Sequence, residues 1–295
     1  MVSIERAGTY IKEHCDPLYS AYFSACFTGG ATSRVFSALK EYQRSDGGFG
    51  GGLEPDFLLP DSSPMAVTKA FQIFERLSSF PEALVGAAVS YLEDAFIPGR
   101  QGWKCCSAKV NEYPHAPWWE YKEEYDGTVI DLSWGNPTCE IIGILNRERE
   151  LVRKLDIDGL VQEAIGRLQE MEEFTSEHEI YCYLSLFDQV NETQQDQMIL
   201  SLRSAINSLL NLDSAQWNTY VPRPFDFITD PNHRLYSLIQ AGADMHLKFI
   251  EEGADEHGLW EPNWRWGQYE DSWRHAKENW KALIAIRNYT ILERF

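Results

Sequence analysis

Residues Gln43 to Pro64 read QRSDGGFGGGLEPDFLLPDSSP. Gly47, Gly48, Gly50, Gly51 and Gly52 crowd one short segment, and glycine gives up more conformational freedom on folding than any other residue. Such a run is retained where the backbone takes shapes or close approaches that other residues refuse. Glu54 and Asp56 follow at once, then Ser63-Pro64, a capping residue before a proline suited to the first helical position. Beyond it Val67, Ala70, Phe71, Phe74 and Leu77 fall on one helical stripe. The segment is therefore a loop that delivers the chain into a helix. It serves either as a packing loop or as a carrier of catalytic acids.

The pattern extends in both directions. A second stripe is Leu235, Leu238, Ile239, Gly242 and Met245, and segments 31–42, 81–96, 156–172, 176–189, 192–211 and 271–293 also read as helices. No alternating apolar run bounded by turn signals asks for a sheet. Asp16-Pro17, Asn136-Pro137 and Asp230-Pro231 repeat the cap-and-proline start, and Phe80-Pro81 has the proline without the cap. A small or polar residue before an aromatic recurs at Gly48-Phe49, Gly102-Trp103, Gln216-Trp217 and Gly258-Leu259-Trp260. A period of about fifty residues fits a helical hairpin plus its connection. Five or six hairpins would use up the chain, which predicts an all-α fold and one α/α toroid domain over residues 1–295. A linear helical solenoid is the alternative. The long connections at 97–135, 212–230 and 251–270 are rich in aromatics and would roof the cavity of a toroid at one rim.

Composition narrows the function classes. With 26 Lys+Arg against 45 Asp+Glu the net charge is −19, a field that repels phosphate backbones, so no nucleic-acid partner is expected. Aromatics make up 13% of the residues and suggest an aromatic-lined pocket. No segment has the run of about 20 apolar residues that spans a bilayer. Glu5 and Arg6 stand where a signal peptide needs apolar residues, so a cytoplasmic location is expected. Cys15, Cys26, Cys105, Cys106, Cys139 and Cys182 then read as reduced and mostly buried. None forms a Cys-x-x-Cys pair, and neither a metal nor a cofactor is expected.

Gln43-x-x-Asp46-Gly47-Gly48-Phe49-Gly50, followed by a loop and a Ser-Pro helix, resembles the repeat of the prenyltransferase and squalene-cyclase superfamily. Those terpenoid cyclase-like proteins carry Gln-x-x-x-Gly-x-Trp/Phe loops between the helices of an α/α toroid. The resemblance is specific over 43–77, recognisable near 98–149, and faint at 211–250 and 256–292. It looks most like small single-domain bacterial members grouped there by the repeat alone. It implies that Gln43 and Phe49 brace helix ends and take no part in chemistry. The chain departs from the superfamily's catalytic patterns. It has no Asp-x-Asp-Asp and no Asp-Asp-rich magnesium motif; Asp156-Ile157-Asp158-Gly159 reads as a helix start. His178 to Cys182 is similar to the histidine segment of the zinc prenyltransferases, but the Asp-x-Cys pair is missing.

Three constellations could carry chemistry. Glu54 and Asp56, two apart in an extended segment, would face one side, and crowded carboxylates yield one that stays protonated near neutrality. Their structural alternative is to cap the Ser63 helix or anchor the glycine loop. In Tyr113-Pro114-His115-Ala116-Pro117-Trp118-Trp119-Glu120, His115 could exchange a proton, while Trp118 and Trp119 stack on a sugar or a developing cation, or else plug the fold. In Asn263-Trp264-Arg265-Trp266, alternation would put the two Trp on one face and Arg265 on the other, where it could pair with the acidic loops or hold an anionic group. Trp273 and Trp280 read as packing. The helix starts after Asn136 and Asp230, with His233, are weaker anion sites, and Cys105-Cys106 has only Lys104 nearby to activate a thiol.

The expected function is a terpenoid cyclase- or prenyltransferase-like protein with an aromatic pocket for a small apolar or isoprenoid-like ligand. Glu54, Asp56 and His115 would supply metal-independent acid–base chemistry, and Trp118, Trp119, Trp264, Arg265 and Trp266 would shape the pocket. The alternatives are a non-catalytic ligand-binding or scaffold toroid, and a carbohydrate-active hydrolase or lyase.

Overall fold

The Ser63 hydroxyl accepts the Ala66 amide at 3.1 Å and Pro64 takes the first helical position, so this helix starts as its sequence asks. In the computed structural model, which describes residues 3–295, helices account for all the regular structure. They are α1 (Ile4–His14), α2 (Pro17–Phe27), α3 (Thr32–Lys40), α4 (Pro64–Arg76), α5 (Glu82–Asp94) and α6 (Gly135–Arg147). There follow α7 (Ile157–Glu170), α8 (Glu177–Gln189), α9 (Glu192–Leu209), the single turn α10 (Pro224–Phe227), α11 (Gln240–Glu252) and α12 (Glu270–Arg294). Among the described residues there is no strand, only isolated β-bridges. The chain divides into two compact units, Tyr42–Leu209, and Met1–Glu41 with Leu210–Phe295.

In the Tyr42–Leu209 unit the contacts fix helix direction. Gln72 of α4 meets Glu140 of α6, and Glu75 farther along α4 meets Arg147 farther along α6. Gly135 of α6 lies against Glu179 and Tyr183 of α8, and Gly143 against Leu186 and Gln189. Residue numbers rise together in each pair, so α4, α6 and α8 run the same way, side by side. Helices α7 and α9 pack on α6 and α8 and on each other, with Gln169 Nε2 donating to Gln197 O at 2.9 Å. The result is a row of parallel helices, with helices that return the chain packed against it.

The glycine loop is held by backbone proximity. Gly47 has φ +90°, and a Cβ there would sit 2.3 Å from Ala87 O of α5; at Gly50 it would sit 2.1 Å from Asp61 O. Gln43 Nε2 donates to Gly47 O at 2.9 Å and to Leu84 O at 3.0 Å, so this one amide ties the loop to the first turn of α5. Phe49 is fully buried. Gln43 thus braces the start of α5, and Phe49 lies in the core.

The other aromatic signals act in a related way. Trp103 Nε1 donates to Leu92 O in the last turn of α5 at 2.7 Å. In the other unit Trp260 Nε1 donates to Ile250 O in the last turn of α11 at 2.9 Å, and Trp217 Nε1 to Asn211 O at 3.0 Å. Carbonyls in the last turn of a helix have no intrahelical donor, and a buried indole N–H supplies one. The recurring small-plus-aromatic motif is thus largely a helix C-terminal latch.

The long connection at 97–135 is built in part from short 3₁₀ turns, Ala108–Glu112, Pro117–Trp119, Glu123–Tyr125 and Val129–Leu132. Asp131 organises it. Its carboxylate accepts the Cys105 amide at 2.8 Å, the Thr128 amide at 2.8 Å and the Thr128 hydroxyl at 2.9 Å.

In the second unit α2 packs against α1, α3 and α12, and α11 against α10 and α12. The helix expected from Asp230-Pro231 does not start there. Asp230 Oδ1 accepts the Asn232 amide at 2.8 Å, and this local turn competes with helix; α11 begins at Gln240, after a 3₁₀ turn at Tyr236–Leu238. Among the described residues no helix is long and apolar enough to cross a membrane.

Candidate functional site

Glu54, Asp56 and His115 come together in the Tyr42–Leu209 unit, each no more than 4% exposed. The chain after the glycines runs beside the Pro114–Ala116 segment. Leu58 N donates to Pro114 O at 2.9 Å, Ala116 N donates to Asp56 O at 2.8 Å, and Phe57 pairs with His115 in an antiparallel bridge. His115 Nδ1 lies 2.7 Å from Tyr113 O, and because that carbonyl can only accept, Nδ1 carries the hydrogen. Trp119 is buried with its ring edge-on to Phe57, centroids 4.9 Å apart, whereas Trp118 is half-buried. The Trp119 indole N–H has no hydrogen-bond partner.

Glu54 turns toward helix α4. Its Oε2 lies 3.2 Å from Lys69 Nζ, and its Oε1 accepts the Asp56 amide at 3.3 Å. It caps nothing at Ser63, where the serine's own hydroxyl serves. Lys69 is the centre of a charged group that the sequence reading did not select. Glu140 of α6 lies in its field, and Gln72, one turn along α4, donates to Glu140 Oε1 at 2.7 Å. Burial opposes the Lys69 charge, but Glu54 and Glu140 outweigh it and hold the ammonium above its ordinary value. Burial pushes the Glu140 carboxyl up, with the Glu75 charge adding, against the opposite pull of Lys69 and Gln72. On α8, burial raises the Cys182 thiol well up, reinforced by Glu140 and Cys139. The group still reaches solvent: Gln72 is exposed, and Lys69 and Glu140 are partly so.

Two carboxyls of different character therefore share one ammonium on the α4–α6–α8 row. Such a trio can exchange a proton with a bound molecule and hold the charge that results. Its signal in the sequence was a lone charge inside an apolar helical run, Lys69 in Val67-Thr68-Lys69-Ala70-Phe71 and Glu140 in Cys139-Glu140-Ile141-Ile142. Nearby, Arg147 stands over the Phe80 ring at 4.3 Å and pairs with Glu75 and Glu148, clamping α4 to α6.

Trp264, Arg265 and Trp266 belong to the other unit. Trp266 is buried against Trp273, and Trp264 is edge-on to Trp280 with centroids 5.0 Å apart. Arg265 is exposed and pairs with Glu270 at 3.4 Å. The alternation expected for this segment is present, and the two Trp face the residues of α12 that read as packing. Among the described residues no group of three or more His, Cys, Asp or Glu is placed to hold a metal ion. No protein-family model, no curated protein and no solved structure matches the chain.

Proposed function

We propose that the chain is an acid–base enzyme acting on a small molecule, and that the α4–α6–α8 row of its Tyr42–Leu209 unit carries the reaction. The observation behind this reading is Lys69, an ammonium between the buried Glu54 and the more open Glu140. Carboxyls held in unlike environments beside a cation are the arrangement by which one fold runs acid and base steps at one pH. A row of parallel helices with packed return helices is also a feature of α/α toroids. It supports the toroid, with all 295 residues in one domain, that the repeat resemblance implies. An isoprenoid-like substrate follows from that resemblance.

Incubation with polyprenyl alkenes, prenyl diphosphates and an oligosaccharide panel, followed by mass spectrometry, tests the reading. Product from one class, lost in Glu140→Gln at unchanged thermal stability, is the expected result. Retention of a small molecule in native mass spectrometry with no turnover of any class would favour a binding protein instead.

A further inference from the structure

Resting on the acid–base reading, we infer that Glu140 is the proton donor of this row and that Gln72 is its positioning residue. Glu54 is committed at both oxygens, Oε2 to Lys69 and Oε1 to the Asp56 amide. Glu140 is not. Gln72 Nε2 holds its Oε1 at 2.7 Å, while no described residue donates a hydrogen bond to Oε2. A carboxyl fixed by one oxygen presents the other in a defined direction, which is what delivery of a proton requires.

The surroundings of Glu140 agree with the role. Lys69 and Glu75 face it from α4, and Cys182 faces it from α8. Burial and Glu75 favour the protonated form and raise the carboxyl above its ordinary value, against the pull of Lys69 and Gln72. In the step itself the Oε2–H bond breaks and the proton bonds to an electron pair of the substrate, on an ether oxygen or an alkene carbon. The carboxylate left behind is countered by the Lys69 ammonium, and water restores the proton after product leaves. Gln72 keeps Oε1 occupied throughout, so proton loss and regain stay on Oε2. Exposure of Gln72 at the surface allows its replacement without loss of the core.

The test is carboxyl carbon NMR of protein labelled at the glutamate side-chain carboxyl, with the Glu140 resonance assigned by its loss in Glu140→Gln. The Glu140 midpoint is expected above the ordinary glutamate range. It should move further up in Gln72→Leu, which removes a donor to the charged form, and again in Lys69→Met. Circular dichroism should show Gln72→Leu folded as the parent. A Glu140 midpoint in the ordinary range, or one that Gln72→Leu leaves in place, would overturn the assignment. Because this readout needs no substrate, it can fail while turnover survives, and turnover can fail while it holds. If turnover is found, Gln72→Leu should lower kcat with KM little changed and displace the alkaline limb of the pH profile, where the proton donor loses its proton; Gln72→Glu should not restore it.

Discussion

Glu54, 3% exposed, holds its Oε2 3.2 Å from Lys69 Nζ, whose side chain is one-quarter exposed. The pair joins the loop that follows the glycines to the middle of α4. A buried carboxylate left without its cation is among the more expensive defects a fold can carry. Lys69→Met should lower unfolding free energy by about 2 kcal/mol, below the fully buried-pair range because Lys69 reaches water. Urea denaturation checks it. A double-mutant cycle with Glu54→Gln should show the two losses to be less than additive, as expected for residues in contact.

The glycine loop and helix α5 give opposite expectations at one glycine each. Gly50→Ala would bring a Cβ to 2.1 Å from Asp61 O, a backbone atom that cannot step aside. It should cost about 2 kcal/mol or more, in the range of overpacked sites. Gly86, in the interior of α5, has nothing within 4 Å of an added Cβ. Gly86→Ala should stabilise by about 0.5–1 kcal/mol, the helical penalty of glycine removed. Thermal melts of the two variants, moving in opposite directions, would bear out a loop retained for close packing.

The indole latches predict a cost that size alone does not. Trp103 is fully buried and its N–H satisfies Leu92 O at the end of α5. Trp103→Phe keeps most of the ring but leaves that carbonyl unpaired and a small void behind it, for about 2 kcal/mol in all. Phe96, whose ring lies 5.1 Å from Trp103, carries no polar atom. Phe96→Leu should therefore cost less than Trp103→Phe. The measurement is the denaturation midpoint of each variant.

How much of this could be read beforehand depends on whether the cause was local. Ser63-Pro64 and the stripe from Val67 to Leu77 predict α4 because a cap and a period are written in consecutive residues. Gln43 was legible as a bracing residue only through the repeat resemblance, and nothing in the sequence named its partner Leu84 O. Asp230-Pro231 misled because a capping residue can equally close a turn on itself, as Asp230 does with Asn232. His115 was read as the partner of Glu54 or Asp56, and the structure pairs the Asp56 and His115 segments through backbone that no spacing rule foretells. Lys69, Gln72 and Glu140 escaped because 68 residues separate Gln72 from Glu140. Only the parallel course of α4 and α6 makes them neighbours.

His246 predicts acid sensitivity in the other unit. Its Nδ1 accepts the Phe225 amide at 3.1 Å, and its ring stacks on Phe225 with centroids 5.0 Å apart. Burial holds its pKa down at about 3; Arg223 and Arg287 act in the same direction and Asp226 against them. Protonation would set an N–H against the Phe225 N–H. Between that value and the ordinary histidine value near 6.5 the unfolded chain binds the proton and the folded one does not, so stability rises with pH across this window and falls on acidification. Asp226 adds to the loss at lower pH. Burial opposes its charge, but Arg287 and Arg223 hold its carboxyl well below the ordinary range, so its contribution is present above the unfolded carboxylate value and disappears below it. Between pH 7 and pH 4.5 the His246 contribution should fall by about 2 kcal/mol, and urea midpoints at the two values measure it. His246→Phe, less stable at pH 7 through the unpaired Phe225 amide, should show a much shallower dependence over the same interval. An unchanged slope in that variant would assign the acid sensitivity to other groups.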